Sequence, residues 1–305
     1  MKTCPDVLPS IMRVRKEECE MRKRLVYRAD DVGYTEAFDL GIYQAFDQGI
    51  ASSADVMFDS PHTVQALLWL KDHPWISIGW HRHLWESPVL GKDVPSMVDE
   101  EGRFKWRHRK QYLMNEVTYD DAYREFMAEA ELCRSIVGHY PDSASCRMEE
   151  DCNDLERAYR DVLNELNLPH NFWYDSPRNP GDPKYEHLHF RQWDGENFVG
   201  GPSDTYDLKN FDRYDPYGKM TAVVWENDDQ IWRIGGHPGF VDDHIMKESS
   251  CNLHRCKELD ACKRMRQWVI DNKIELINQR DVFYGTNEVQ DHLKEIKSPL
   301  WIGNM

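Results

Sequence analysis

Arg24-Leu25-Val26-Tyr27-Arg28-Ala29-Asp30-Asp31-Val32-Gly33-Tyr34 is a short apolar run that ends in two adjacent carboxylates and a glycine. It reads as a strand that delivers charge at its C-terminal end. On a plain strand Asp30 and Asp31 would point to opposite sides, whereas a bend at Gly33 lets both reach one cleft. Two carboxylates in one cleft repel unless a cation or a proton separates them. One reading is therefore a metal with one Asp as ligand and the other as base. The other is an Asp-Asp-x-Gly turn that caps the next helix.

Working outward, residues 35–48 carry apolar residues at helical spacing and stop at Gly49. Residues 53–58 predict a second strand, 61–73 a helix with Pro61 in its first turn, and 75–80 a third strand that ends on His81. Strand, helix, strand, helix, strand implies right-handed crossovers and a mostly parallel sheet, open or closed into a barrel. In such sheets function gathers at the C-terminal strand ends. Upstream, residues 1–23 read as a polar extension with a short helix over 17–24.

Residues 82–117 show no period and contain the cluster Lys105-Trp106-Arg107-His108-Arg109-Lys110. A loop of this length is functional or a lid. Its basic cluster either holds an anionic group or a ring, or forms a solvated face or an oligomer contact, the reading preferred. Asp120 is then expected to cap a helix to about Val137, with 143–148 a strand, 153–166 a helix and 170–174 a strand. Residues 175–218, dense in Pro, Gly and aromatic side chains, look like an ordered wall over a site or satellite packing. Strands are expected at 221–225, 231–235 and 274–278, with helices at 254–271 and 282–295. No repeat and no clean linker is visible, so 24–305 reads as a single catalytic-type domain with insertions at about 82–117 and 175–218.

Lys and Arg total 38 against 54 Asp and Glu, a formal charge of −16, which argues against nucleic acid and anionic membrane as partners. A neutral small molecule fits better, with a homo-oligomer left open. No apolar run approaches the ~20 residues that span a bilayer, and no secretory apolar region is present, so a cytoplasmic location is expected. The 8 cysteines are scattered, without a CxxC pair, and read as reduced thiols. Cys251, His254 and Cys256 crowd near a helix start but match no zinc spacing.

Reactive groups thus sit at several strand ends: Asp30 and Asp31, then His81 with His83, then His237 in Gly236-His237-Pro238-Gly239. One Asp and one His suit a divalent ion in a hydrolase. His81 is a candidate ligand; His83 is a ligand, a substrate contact or solvated; His237 is a candidate general acid.

Taken together, the 28–34 motif, Gly79-Trp80-His81-Arg82-His83-Leu84, the 94–102 loop, Gly236-His237-Pro238-Gly239-Phe240 and the tail at 274–281 resemble the YdjC-like carbohydrate deacetylases (ChbG/HpnK type). The likeness runs from about residue 24 to 285. It implies an α/β fold, a variant (β/α) barrel of the polysaccharide/carbohydrate deacetylase kind. It also implies removal of the acetyl group from an N-acetylated sugar with a divalent metal ion, zinc or magnesium. Carried over by residue, Asp30 would be the general base, Asp31 and His81 metal ligands, and His237 the general acid.

One position departs. The family's third ligand is a histidine, and Arg147 aligns there; a guanidinium binds no metal but could neutralise the acidic pair. Cys146, Glu149 or Glu150 could replace the ligand. His83 and Arg147 are taken as substrate-binding candidates. The alternative that Arg147 raises is a metal-free relative acting as a carbohydrate-binding or regulatory protein.

Overall fold

The computed structural model describes residues 22–107, 111–144, 153–170, 183–192 and 206–305. Strand β1 (Lys23–Val32) begins one residue inside the predicted polar extension, and Leu25, Val26, Tyr27, Ala29 and Val32 are fully buried. Burial of successive residues on both faces is what a central strand of a parallel sheet requires. Helix α1 (Glu36–Gln48) follows, capped by the Thr35 side chain, which accepts from the Phe38 N–H, and it buries Phe38, Ile42, Ala45 and Phe46. The chain continues through β2 (Ser53–Val56), α2 (Thr63–Lys71) and β3 (Ser77–Trp80). The predicted βαβαβ rhythm is present with shorter strands, because pairing ends where the chain turns into the cleft.

Residues 82–107 are no loose lid. Val94, Met97, Phe104 and Trp106 are fully buried, and the Trp106 indole donates to the Leu84 carbonyl at 2.7 Å. Within the described part of the basic cluster, Trp106 and Arg107 turn inward, Arg107 reaching the buried Glu86 at 3.4 Å, while Lys105 stays half-buried and meets the exposed Glu116 at 3.6 Å. Residues 108–110 lie outside the described residues.

Helix α3 (Tyr119–Val137) is capped by Thr118, not Asp120, because the Thr118 hydroxyl accepts from the Asp121 N–H; it ends at Gly138 with φ 104. Its inward face carries three carboxylates, Asp121 in the first turn and Glu125 and Glu129 deeper in. Glu125 accepts from the Val89 and Leu90 N–H groups at 2.5 and 2.9 Å, and Glu129 accepts from the Trp80 indole at 2.8 Å. Strand β4 (Ser143–Ala144) precedes α4 (Asp154–Glu165), whose cap is Asn153. The remainder of the expected strands at 143–148 and 170–174 falls outside the described residues, His170 excepted.

Strand β5 (Phe190–Gln192) lies in the stretch expected to be irregular, and it pairs parallel with β6 (Ile231–Gly236). The expected strand at 221–225 is not one. Thr221 closes the short helix α5 (Pro216–Met220), and the Trp225 indole bonds the Arg24 carbonyl at 3.0 Å, so this segment docks through side chains instead of a ladder. Then come α6 (Asp243–Glu248), α7 (His254–Asp271) and β7 (Ile274–Leu276). The last expected helix is two, α8 (Gln279–Tyr284) and α9 (Glu288–Glu295). Gly285, at φ 69, ends the first, and its start is fixed by the reciprocal Asn278–Asp281 capping box.

The described strands form one seven-stranded sheet in the order β4-β3-β2-β1-β6-β5, with β7 also paired to β1. All pairings are parallel. β7 takes the first half of β1 and β2 the second, since Lys23–Leu25 pair with Ile274–Leu276 while Arg28 and Ala29 pair with Ser53 and Ala54. The sheet curls with helices outside it, a variant (β/α) barrel. Among the described residues no helix is long and apolar enough to cross a membrane.

Candidate active site

The register of β1 against β2 shifts between Ala29 and Val32, and Asp31 has φ 62. This bulge, with Asp31 in the left-handed region, turns both carboxylates into one buried cleft. The bend expected at Gly33 (φ 93) is real but second to it. Neither Asp caps α1, since Thr35 does. The turn is held from behind by Asp39, which accepts from the Gly33 N–H at 2.9 Å and pairs with His62 at 2.6 Å.

Two arginines divide the carboxylates between them. Arg28 donates to Asp30 Oδ2 at 2.5 Å and to Asp55 Oδ2 at 2.8 Å. Arg255 Nη2 donates to Asp31 Oδ2 at 2.7 Å, while Asp31 Oδ1 lies 3.0 Å from His81 Nε2. Arg233 Nη2 stands 3.7 Å behind, on Asp55 Oδ2, and burial together with Arg28 lowers its pKa to about 9. Gly79 leaves the space that Asp55 occupies, for a Cβ there would collide with Asp55 Oδ1.

The result separates two adjacent groups. Burial raises the Asp30 carboxyl above its ordinary range, with Arg28 opposing and Asp55 adding to the rise. Burial would raise Asp31 too, but Arg255, His237 and His81 together hold it well below that range. A pair pushed apart in this way suits one proton acceptor and one permanent anion.

The His81 backbone N–H donates to the Val56 carbonyl at 2.9 Å, which fixes the ring's approach to Asp31. His83 sits two residues on, its ring 6.3 Å from that of His81, with Nδ1 3.6 Å from Asp59 Oδ2. Burial works against its charged form, but Asp59 prevails and its pKa is raised. Ala29 pairs with Gly236, so Asp30 and His237 leave the sheet at the same level. His237 Nδ1 lies 3.4 Å from Glu258 Oε2 and 3.7 Å from Cys251 Sγ, and its backbone N–H also donates to Glu258. Burial disfavours the imidazolium, yet Cys251, Asp31 and Glu258 raise its pKa well above the ordinary value.

The structure thus brings Asp30, Asp31, His81 and His237 to one cleft, with His83 beside it. Arg147 and the alternatives Cys146, Glu149 and Glu150 lie outside the described residues. Sequence reasoning missed Arg28, Asp55, Arg255 and Glu258. A signal existed for Arg28, two residues from Asp30 on the same side of an extended strand; Arg255 and Glu258, three apart on α7 and both about 1% exposed, face Asp31 and His237 only through the fold. The crowd of Cys251, His254 and Cys256 separates. His254 is walled by the rings of Tyr206, Phe211 and Tyr214 with centroids 5.0–5.5 Å away, Cys256 is exposed, and Cys251 turns to His237.

A family model described as YdjC-like protein matches residues 24–269. The chain is 27% identical over 263 residues to a carbohydrate deacetylase of Clostridium beijerinckii, covering 85% of this chain and 100% of the relative. It is 25% identical over 268 residues to carbohydrate deacetylase 2 of Listeria innocua, covering 85% and 98%. The crystal structure of an Enterococcus faecalis protein named for cellobiose-phosphate cleavage superposes with a TM-score of 0.59 at 22% identity, covering 84% of this chain and 97% of that one.

Proposed function

The chain belongs to the YdjC-like family, and from that premise we propose that it is a carbohydrate deacetylase: a hydrolase that removes the acetyl group from an N-acetylated sugar or oligosaccharide. The observation that carries this reading is the meeting of two adjacent carboxylates, each held by its own arginine, with His81 3.0 Å from Asp31 and His237 at the level of Asp30 on the neighbouring strand; the rise of Asp30 and fall of Asp31 accord with it. The names of the Clostridium and Listeria relatives agree with it. We read the enzyme as cytoplasmic, and residues 24–305 as one domain, in keeping with the single sheet.

Asp31 Oδ1 and His81 Nε2 face each other at 3.0 Å, an ion-pair contact that a divalent ion would replace by binding both, and Arg255 occupies only the other Asp31 oxygen. The donor set therefore fits a divalent metal, zinc or magnesium, held by Asp31 and His81 with a third ligand still to be identified. Such an ion supplies Lewis acidity and a more acidic water.

Asp30, with its raised pKa, accepts the proton of the attacking water, and Arg28 fixes its orientation. His237, kept cationic, donates a proton to the departing amine, so that acetate and a free amino sugar result. Glu258 holds the His237 ring and its backbone together. Arg255 keeps Asp31 ionised. His83 and Arg147 are read as substrate contacts.

One observation favours a second reading, a carbohydrate-binding or regulatory relative without metal: Arg28 and Arg255 already neutralise both carboxylates. The experiment is metal analysis of the purified protein with and without added zinc, followed by an acetate-release assay on N-acetylated sugars. Release of acetate that is lost in Asp30→Asn supports the deacetylase. Absence of both metal and acetate overturns it in favour of the second reading.

A further inference from the structure

We propose that His237, Cys251 and Glu258 form a cation site of their own, separate from the Asp31–His81 pair, that takes a thiophilic divalent ion of the zinc class. Their donor atoms, Nδ1, Sγ and a carboxylate oxygen, all lie within 4.8 Å of one another. Two of the three edges are 3.7 Å (Nδ1 to Sγ) and 3.4 Å (Nδ1 to Oε2). Around a tetrahedral zinc, with bonds of about 2.0–2.3 Å, neighbouring donor atoms stand about 3.3–3.7 Å apart. Those two edges already have ligand spacing, and the Cys251–Glu258 edge lies within 4.8 Å.

The shell around the donors is built as metal sites are built. Glu258 accepts from the Tyr214 hydroxyl and from the His237 backbone N–H, which fixes the carboxylate. Cys251 and Glu258 are buried while the His237 side chain is 22% exposed, so one side remains open for entry and for a fourth, exchangeable ligand. The donors come from two elements locked to each other: His237 follows β6, and the Gly239 N–H donates to the Arg255 carbonyl on α7 at 3.3 Å.

On binding, the Cys251 thiol and the His237 imidazolium each give one proton to solvent, freeing the sulfur and Nδ1 electron pairs for the ion, with no change of oxidation state. A thiolate in the set distinguishes this site from Asp31 and His81, which offer oxygen and nitrogen only. If His237 is the proton donor of the deacetylation proposed above, occupancy makes excess zinc an inhibitor; the site itself does not depend on that reading.

The test uses the full chain, titrated with Co²⁺ and read by absorption. Expected is a near-ultraviolet thiolate-to-cobalt charge-transfer band that saturates at one ion, persists in Asp31→Asn and disappears in Cys251→Ser, with thermal unfolding confirming that each variant is folded. Zinc should abolish the parent band by competition. A band that survives Cys251→Ser, or no band in the parent, overturns the site. A band lost in Asp31→Asn overturns its separateness. Because the readout is absorption and not acetate, failure here is distinguishable from failure of the deacetylase assignment.

Discussion

Arg255 Nη2 donates to Asp31 Oδ2 at 2.7 Å across 224 positions of sequence, tying the first turn of α7 to the end of β1. Both side chains are almost wholly buried, at 2% and 9% exposure. Removing one partner of such a pair leaves an uncompensated charge, at a cost of about 3–5 kcal/mol. Arg255→Met is expected to lose that much stability in urea unfolding, and the Asp31→Asn, Arg255→Met double variant to recover a substantial part of it. Additive losses in that cycle would show that the two do not act as a pair.

Glu258 is expected to act through His237 and not on substrate. In Glu258→Gln a negative neighbour of the imidazole is removed, so the His237 pKa falls. A reaction that needs protonated His237 should then lose its activity at lower pH. The alkaline limb of kcat/KM is predicted to move acidward, with KM little changed; an unmoved limb would count against His237 as the donor.

Much of this was legible in residues 24–34 and 79–83, where strand propensity ends on charge and the parallel alternation of elements dictates which ends converge. Less legible was how the charges are balanced. Arg28 stands two residues from Asp30, on the same side of an extended strand, and the i, i+2 rule could have paired them. Arg255 could not be matched to Asp31 from spacing, because their meeting depends on how α7 lies across the sheet. The expected strand at 221–225 misled because β-formers there serve side-chain docking: Val224 is exposed and Trp225 bonds a carbonyl of β1. The expected cap at Asp120 lost to Thr118 by two positions, within the usual uncertainty of a helix start.

Glu125 supplies a pH dependence outside the cleft. Burial raises its pKa from 4.5 to about 7, against the two backbone N–H groups it accepts from. A carboxyl with a raised folded pKa adds stability that is present below about 4.5 and lost as pH climbs to about 7. Glu125→Gln should remove that slope. Between those limits the stability difference between parent and variant is predicted to change by roughly 2–3 kcal/mol. Chemical denaturation at several pH values measures it, and parallel curves would refute the assignment.

Gly79→Ala is expected to act on the site without touching it. The new methyl would overlap Asp55, which cannot retreat without releasing Arg28 from its place beside Asp30. Overpacking of this kind costs about 1–3 kcal/mol. Acetate release should fall further than thermal stability implies; unaltered turnover in a folded Gly79→Ala protein would detach Asp55 from the chemistry.

The φ of 62 at Asp31 also limits what can replace it. Among non-glycine residues, Asn and Asp enter that region most readily, and β-branched or bulky side chains are outliers there. The substitutions open to this position without backbone strain are thus few, chiefly Asn and Gly, and both abolish the anion. Asp31 can therefore give up its charge to Asn or Gly without strain at its own backbone, while any bulkier replacement would have to distort the bulge as well.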